Sequence, residues 1–214
     1  MKKFWFILFL VLVSLVSAYA APQDDVNASA SIIHDFRRMR EQAIPRSVLR
    51  NAQGLAIIRV VKAGFIFSGK AGKGVVVAHT RNGWSGPSFI ATGGAGWGAQ
   101  IGAQVIDFVF VLNNRSAVQA FSRGGNVTLG ADVSVAAGPV GRDAQVAVAP
   151  KAAVYTYSRT KGLFAGASLE GAVIVTRGNE NDEYYHRGVT AGEILSGRVK
   201  PPRGAEVLRA SLGR

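Results

Sequence analysis

From residue 29 to residue 43 the apolar positions fall at helical spacing. Ile32, Phe36, Met39 and Ala43 share one face, while Arg37 and Arg38 point away from it and Arg40 flanks it, which predicts a basic amphipathic helix over 29–43. Residues 21–27 read as a loose tail. Pro45 suits the first turn of a short second helix that Gly54 would close. Beyond Gly54 the texture changes to short β-branched and aromatic runs punctuated by glycine: 55–61, 65–67 and 75–79, then a turn at Arg81-Asn82-Gly83, then 88–92, 97–103 and 105–112. Asn113 or Asn114 can cap a helix over 116–121. Strands are expected again over 126–136, 144–158 and 163–176. In the first of these, Val127, Leu129, Ala131, Val133 and Val135 alternate onto one face. Thr190 and Glu193 have capping-box spacing, Pro201-Pro202 breaks the chain, and 205–212 can form a last short helix. Helices at both ends and many strands between them give an α+β fold, with a largely antiparallel sheet curled toward a barrel.

The first twenty residues stand apart. Lys2 and Lys3 precede the apolar run 4–16, and Ala18-Tyr19-Ala20 supplies small residues at a cleavage position, the layout of a secretory signal peptide over 1–20. The run is shorter than the ~20 apolar residues of a membrane span. On this reading the chain is exported, periplasmic or secreted, and peripherally associated with a membrane. The remainder suits one domain. With no cysteine in the chain, disulfides, thiolate metal sites and cysteine nucleophiles are excluded.

Charge narrows the partners. The net charge is +12, and from Gln42 to Ile106 there is no acid but seven bases: Arg46, Arg50, Arg59, Lys62, Lys70, Lys73 and Arg81. Such a one-sided field favours anionic partners, with solubility alone as the plainer explanation.

Motifs for chemistry come close and fail. Gly64–Lys70 approaches a phosphate-binding loop, but Ala71 stands where the Mg²⁺-ligating hydroxyl belongs and a β-branched strand follows where a helix is needed. Gly94-Ala-Gly96 begins a loose dinucleotide pattern in which no helix follows. Pro87 spoils a nucleophile elbow around Ser85. His34, His79 and His186 lie far apart, with no metal-ligand spacing. Asp107, alone in a long apolar run, is either a shifted base or, the favoured reading, a carboxylate paired with arginine or backbone donors. No catalytic residue, cofactor, metal or nucleic-acid partner is expected. A weak repeat relates 62–77 to 161–175. Two related hairpins or chance glycine similarity explain it equally well.

Several segments in order resemble the SYLF domain: Asn51-Ala52-Gln53-Gly54-Leu55-Ala56, Lys62-Ala63-Gly64-Phe65, Gly83-Trp84-Ser85-Gly86-Pro87-Ser88, residues 133–142, residues 157–166 and Ser168-Leu169-Glu170-Gly171. The resemblance covers 44–202, leaving 21–43 as tail and helix and 203–214 as a C-terminal helix or tail. It implies non-catalytic binding of phospholipid, with phosphoinositides or other anionic lipids as ligands, and in fungal members actin binding. The lone domain behind a signal peptide resembles the exported bacterial type. The residues expected at a lipid surface are Phe36, Arg37, Arg38 and Arg40 on the helix, with Lys62, Lys70 and Lys73 on the glycine hairpin. The helix either inserts its apolar face in the interface or packs it on the sheet. The alternative function is a protein-interaction module for actin or a cell-envelope partner.

Overall fold

The computed structural model describes residues 21–39, 44–65, 67–97, 102–139, 152–161 and 171–213. Helix α1 (Pro22–Arg38) and a short α2 (Arg46–Asn51) lead into strands β1 (Gly54–Phe65), β2 (Phe67–Thr80), β3 (Gly83–Trp84), β4 (Ser88–Trp97) and β5 (Gly102–Leu112). Then come α3 (Arg115–Ser122), β6 (Asn126–Thr128), β7 (Val135–Ala137), β8 (Val154–Lys161) and β9 (Val173–Thr176). Helices α4 (Gly178–Tyr185), α5 (Ala191–Leu195) and α6 (Glu206–Leu212) close the chain.

The sheet runs β6-β9-β4-β2-β1-β5-β8-β7, with β3 paired to β2. All pairings are antiparallel except β7 with β8. Chain connectivity makes it curl. Laid flat, eight strands would hold the outer two about 33 Å apart at a spacing of about 4.7 Å. Yet β6 and β7 are consecutive, and the residues joining them reach only about 24 Å fully extended. That connection is shortened further by a Leu129–Val133 bridge and a turn at Gly130 (φ 94°). The expected alternation over 127–135 is therefore interrupted, although Val127, Leu129 and Val133 are all buried together. The α+β class and the curled, mostly antiparallel sheet are as the chain's patterning implies.

Both faces of the sheet are covered, which explains why its central strands read as unbroken apolar runs. On one face Leu55, Ile57, Val75, Val77, Phe89, Val109 and Val111 meet Ile33 and Phe36 of α1, Tyr184 and Tyr185 of α4 and Leu208 of α6. On the other, Ala56, Ile58, Val76, Ile90, Phe108, Phe110 and Leu112 meet Ala117 and Phe121 of α3 and Leu195 of α5. Strands β1 and β2 approach so closely at Gly74 that a Cβ there would lie 1.9 Å from the Ile57 carbonyl oxygen.

Helix α1 starts earlier than its apolar spacing indicates. The segment 21–27 is helical, not a loose tail. Pro22 occupies the first turn, Asp24 and Asp25 sit where acids favour the helix dipole, and Val26 is fully buried. Arg37 and Arg38 occupy the last turn, and the backbone is extended at Met39. Residues 40–43, with Arg40, lie outside the described residues. Helix α6 packs on α1, and the Arg37 guanidinium donates to the Ser211 carbonyl at 2.7 Å. Both ends of the described chain thus share the core with the sheet. Helix α4 had no apolar period to announce it. Asn114 and Thr190 cap α3 and α5, the latter in a full capping box.

Phe36 is 1 % exposed inside this core. Phe36→Ala is expected to lower unfolding free energy by about 3–5 kcal/mol, as read from urea denaturation, since a buried aromatic is lost and a cavity remains. Full stability in that variant would show that the helix does not pack as described.

Candidate binding surface

The charged residues sort into an interior set and an exterior set. Inside, Asp107 on β5 is fully buried. It accepts from Arg59 Nε at 2.6 Å and Nη2 at 3.1 Å, and from Arg159 Nη2 at 2.8 Å. The register dictates this, because Arg59 on β1 and Arg159 on β8 stand directly opposite Asp107 on its two neighbouring strands. Arg159 Nη2 also donates to Asp35 on α1 at 2.6 Å, which joins helix to sheet. A second tie runs from Arg177 to Asp25 on α1 and to Glu180 on α4, at 2.6 and 2.7 Å. Asp107 is thus the arginine-paired carboxylate of the two readings its sequence context allows.

Burial works to raise the Asp107 pKa, but the hydrogen bonds and charges of Arg59 and Arg159 outweigh it and hold the carboxyl below the usual carboxylate range. Asp25 goes the other way: burial raises it, and Arg177 and Lys73 only partly offset this.

The Gly83–Ser88 motif is a structural clasp. Ser85 Oγ accepts from Ala78 N–H and donates to the Gly86 carbonyl. The fully buried Asn181 of α4 accepts from Phe89 N–H through Oδ1 and donates to Ser88 Oγ. The Tyr185 hydroxyl donates to the Pro87 carbonyl, and Arg209 Nε of α6 donates to the Trp84 carbonyl. Gly64–Lys70 passes from β1 into β2, so no helix N-terminus is available there for phosphate. Among the described residues no group of three His, Asp or Glu side chains could hold a metal ion.

The residues expected at a lipid surface do not form one surface. Phe36 is in the core, so of the helix's two readings it is the one that packs on the sheet. Arg37 and Arg38 are exposed at its end. Lys62 and Lys70 are directly opposed across β1 and β2, and the Lys70 stem lies over Gly94. Lys73 pairs in register with Arg59, on the opposite face of the sheet, where its charge acts on Asp25.

Instead, the tertiary structure gathers arginines at the end of the sheet where β2 turns into β3. Arg37, Arg46 and Arg50 line a cleft of about 450 Å³ with Trp84 and Leu212. Arg81, Arg115 and Arg198 line a second, of about 820 Å³, and His79 borders both. Among the described residues no acid lines either cleft. All six arginines are exposed, and among the described residues none is ion-paired with a carboxylate. The His79 ring meets Trp84 edge-on at 5.2 Å. Arg46, Arg50 and Arg81 already stood out in the acid-free interval of the sequence. Arg115 and Arg198 carried no such signal, because only the fold brings α3 and the segment after α5 beside the β2–β3 turn.

Comparison with known proteins gives this architecture relatives. Residues 93–214 match the Ysc84 family model, described as "Las17-binding protein actin regulator". The chain is 51% identical over 173 residues to LAS seventeen-binding protein 3 of Saccharomyces cerevisiae, covering 78% of this chain and 38% of that protein. It is 51% identical over 196 residues to Protein YSC84 of the same yeast, covering 87% and 42%. It is 42% identical over 194 residues to the human SH3 domain-containing YSC84-like protein 1, covering 87% and 57%. The chain therefore spans about two-fifths of the yeast relatives and somewhat over half of the human one.

These relatives correct the exported, periplasmic or secreted placement read from the first twenty residues. They are yeast and human proteins named for Las17 binding and for an SH3 domain, in a family described as actin regulators, and not exported proteins. The segment 1–20 lies outside the described residues. Among those described, no helix is long and apolar enough to cross a membrane.

The interior ion network carries a pH signature. Because the Asp107 pKa is lowered on folding, its contribution is present above the ordinary carboxylate value near 3.8 and is lost as pH falls through the lower folded value. Asp25, raised on folding, contributes in the opposite sense: fully below 3.8, and lost as pH rises through its raised value. Asp107→Asn is expected to cost about 3–5 kcal/mol near neutral pH, because it leaves buried arginine charge uncompensated, and to flatten the acid limb of stability. Urea midpoints followed from about pH 2 to pH 7 check this; an unchanged acid limb would contradict it.

Proposed function

The chain belongs to the Ysc84 family of Las17-binding actin regulators, and from that membership we propose that it is a non-catalytic binding module of the actin-regulating kind, whose protein partner seats on the arginine-rimmed end of the sheet. The observation that carries this is the set of six exposed arginines around two adjoining clefts, none of them ion-paired with a carboxylate among the described residues. A folded chain that pairs Arg59, Arg159, Arg177 and Arg209 with carboxylates and leaves these six facing solvent around two clefts presents a field for an acidic partner. The groups with shifted protonation serve packing instead. Burial pushes the Tyr184 phenol up to about 12, Asp107 is locked in its arginine pair, and Asp25 is held by Arg177.

The purified chain is expected to pellet with actin filaments or to retain purified Las17 on a column. Charge reversal at Arg46, Arg50, Arg81 and Arg115 is expected to weaken that binding about tenfold or more while melting stays unchanged, because exposed unpaired arginines contribute little to stability. Binding of neither protein by a correctly folded chain would overturn the reading.

A second reading, an anionic phospholipid or phosphoinositide surface, is favoured by a different observation. Lys62 and Lys70 stand side by side near the far end of the β1–β2 hairpin, and Arg37 and Arg38, followed in sequence by Arg40, end helix α1. Each cation near such a surface contributes about 1 kcal/mol. Sedimentation with phosphatidylserine vesicles is expected to fall as salt shortens the Debye length below about 8 Å. It is also expected to fall with Lys62→Glu/Lys70→Glu or Arg37→Glu/Arg38→Glu/Arg40→Glu, while Lys73→Glu, on the opposite face of the sheet, spares it. Equal pelleting with neutral vesicles at all salt concentrations would refute this second reading.

A further inference from the structure

The two clefts are not equivalent. The larger one has walls from α3 and α5 and a floor at the end of β2. Its cations come from three separate elements: Arg81 from the turn after β2, Arg115 from the first residue of α3, and Arg198 from just beyond α5. Ala78 and Leu195, both buried, and the half-buried Val118 also line it, together with the carboxamides of Gln53 and Gln119 and the hydroxyl of Ser122.

Its shape is fixed by contacts that leave no slack. A Cβ at Gly192 would lie 3.1 Å from the Ser122 carbonyl oxygen, so α5 rests against the end of α3. Gly197, at φ 76°, turns the chain directly over Thr80, where a Cβ would meet the Thr80 methyl at 3.1 Å. Asn114 holds the start of α3 by accepting from Ala117 N–H at 2.8 Å, and the α5 capping box holds the other wall.

We infer that this cleft is the seat of a short acidic peptide segment, one that alternates carboxylates with apolar side chains. The inference rests on the reading of the chain as a protein-binding module and names the feature of the partner that the cleft takes. Guanidinium forks match carboxylates in a bidentate way, and here they are spread around a rim, not converged on one point. The carboxamides of Gln53 and Gln119 in the lining suit peptide N–H and carbonyl groups, which need partners once out of water. The half-buried Val118 in the lining suits an apolar residue of the segment and would gain nothing from a bare polyanion. A pre-formed concavity of about 820 Å³ falls in the range of specific ligand sites and spares the ligand the cost of ordering its receptor.

The test is a fluorescence-anisotropy titration of the whole chain with a labelled glutamate–leucine repeat peptide. A glutamine–leucine repeat serves as the neutral control, and inositol hexakisphosphate as the phosphate competitor. The glutamate peptide is expected to bind and the glutamine peptide not to. The triple variant Arg81→Glu/Arg115→Glu/Arg198→Glu is expected to weaken binding by about tenfold or more, which corresponds to about 1.4 kcal/mol. The triple Arg37→Glu/Arg46→Glu/Arg50→Glu, in the adjoining cleft, acts on the peptide only through the shared field and is expected to weaken binding less than the first triple. Should the first triple fail to melt like the parent, the single substitutions Arg81→Gln and Arg198→Gln take its place, each expected to weaken binding severalfold.

Absence of glutamate-peptide binding, equal binding of the glutamine peptide, or loss confined to the second triple would overturn the assignment. So would inositol hexakisphosphate binding more tightly than the peptide with the same arginine dependence, since the cleft would then be a phosphate site. Filament and Las17 binding measured on the same variants separates the two claims. If either protein binds but no peptide does, only the peptide assignment falls. If the peptide binds and neither protein does, only the actin-regulator reading falls.

Discussion

The Asp107 carboxylate sits in the middle of a curled sheet with no exposure to water, and an isolated ion in that position would be strongly disfavoured. Its stability there depends on two arginines that antiparallel register places directly opposite it on the strands to either side. One of them, Arg159, has a second acid to satisfy, Asp35 of α1. A requirement of the sheet interior thus becomes a constraint on where the first helix lies. With Arg159 holding both carboxylates, α1 is drawn over the face on which Phe36 and Ile33 can meet Leu55, Ile57 and Val109.

The same network shapes the outside of the molecule. The interior ties engage Asp25, Asp35, Asp107 and Glu180. Glu206 pairs with Arg209 on α6, and the Asp132 carboxylate accepts from Thr128 N–H in the turn between β6 and β7. The chain has 13 acids against 25 lysines and arginines, so carboxylates engaged inside cannot neutralise the surface. The cationic rim around His79 is the part of that surplus gathered around two clefts. Part of the overall surplus of +12 becomes a local concentration because the fold places six arginines together around two clefts.

That rim is also held in place mechanically. The Gly83–Ser88 segment follows directly on the turn that carries Arg81, and it is fastened to α4 by Asn181 and Tyr185 and to α6 by Arg209. Contact at Gly86 is close enough that a Cβ would lie 2.1 Å from the Tyr185 hydroxyl oxygen. A motif that looks like an interrupted nucleophile elbow thus works as a joint between sheet and helices. It brings Trp84 against His79 at the meeting point of the two clefts.

Much of the fold was legible along the chain because it is local. Apolar runs between glycines gave β1, β2, β4 and β5, the caps at Asn114 and Thr190 gave the starts of α3 and α5, and the helical face of Ile32 and Phe36 gave α1. Reading Asp107 as an arginine-paired carboxylate was within reach of sequence, since a lone acid in an apolar run must find a cation. Which cations it finds was not, because Arg59 and Arg159 are 48 and 52 residues away and only register brings them together. The early start of α1 depends on Asp25 meeting Arg177, and α4 depends on Asn181 and Tyr185 reaching back to β4, neither of which leaves a periodic trace. The lysines at 62, 70 and 73 looked like one basic surface because spacing along a strand does not reveal opposite faces until the strand is paired. By itself the sequence determined the elements, the family resemblance and a basic chain looking for an anionic partner. Tertiary structure alone decided which cations come together, because register and packing pair Arg59, Arg159 and Arg177 with distant carboxylates and gather six other arginines at one end of the sheet.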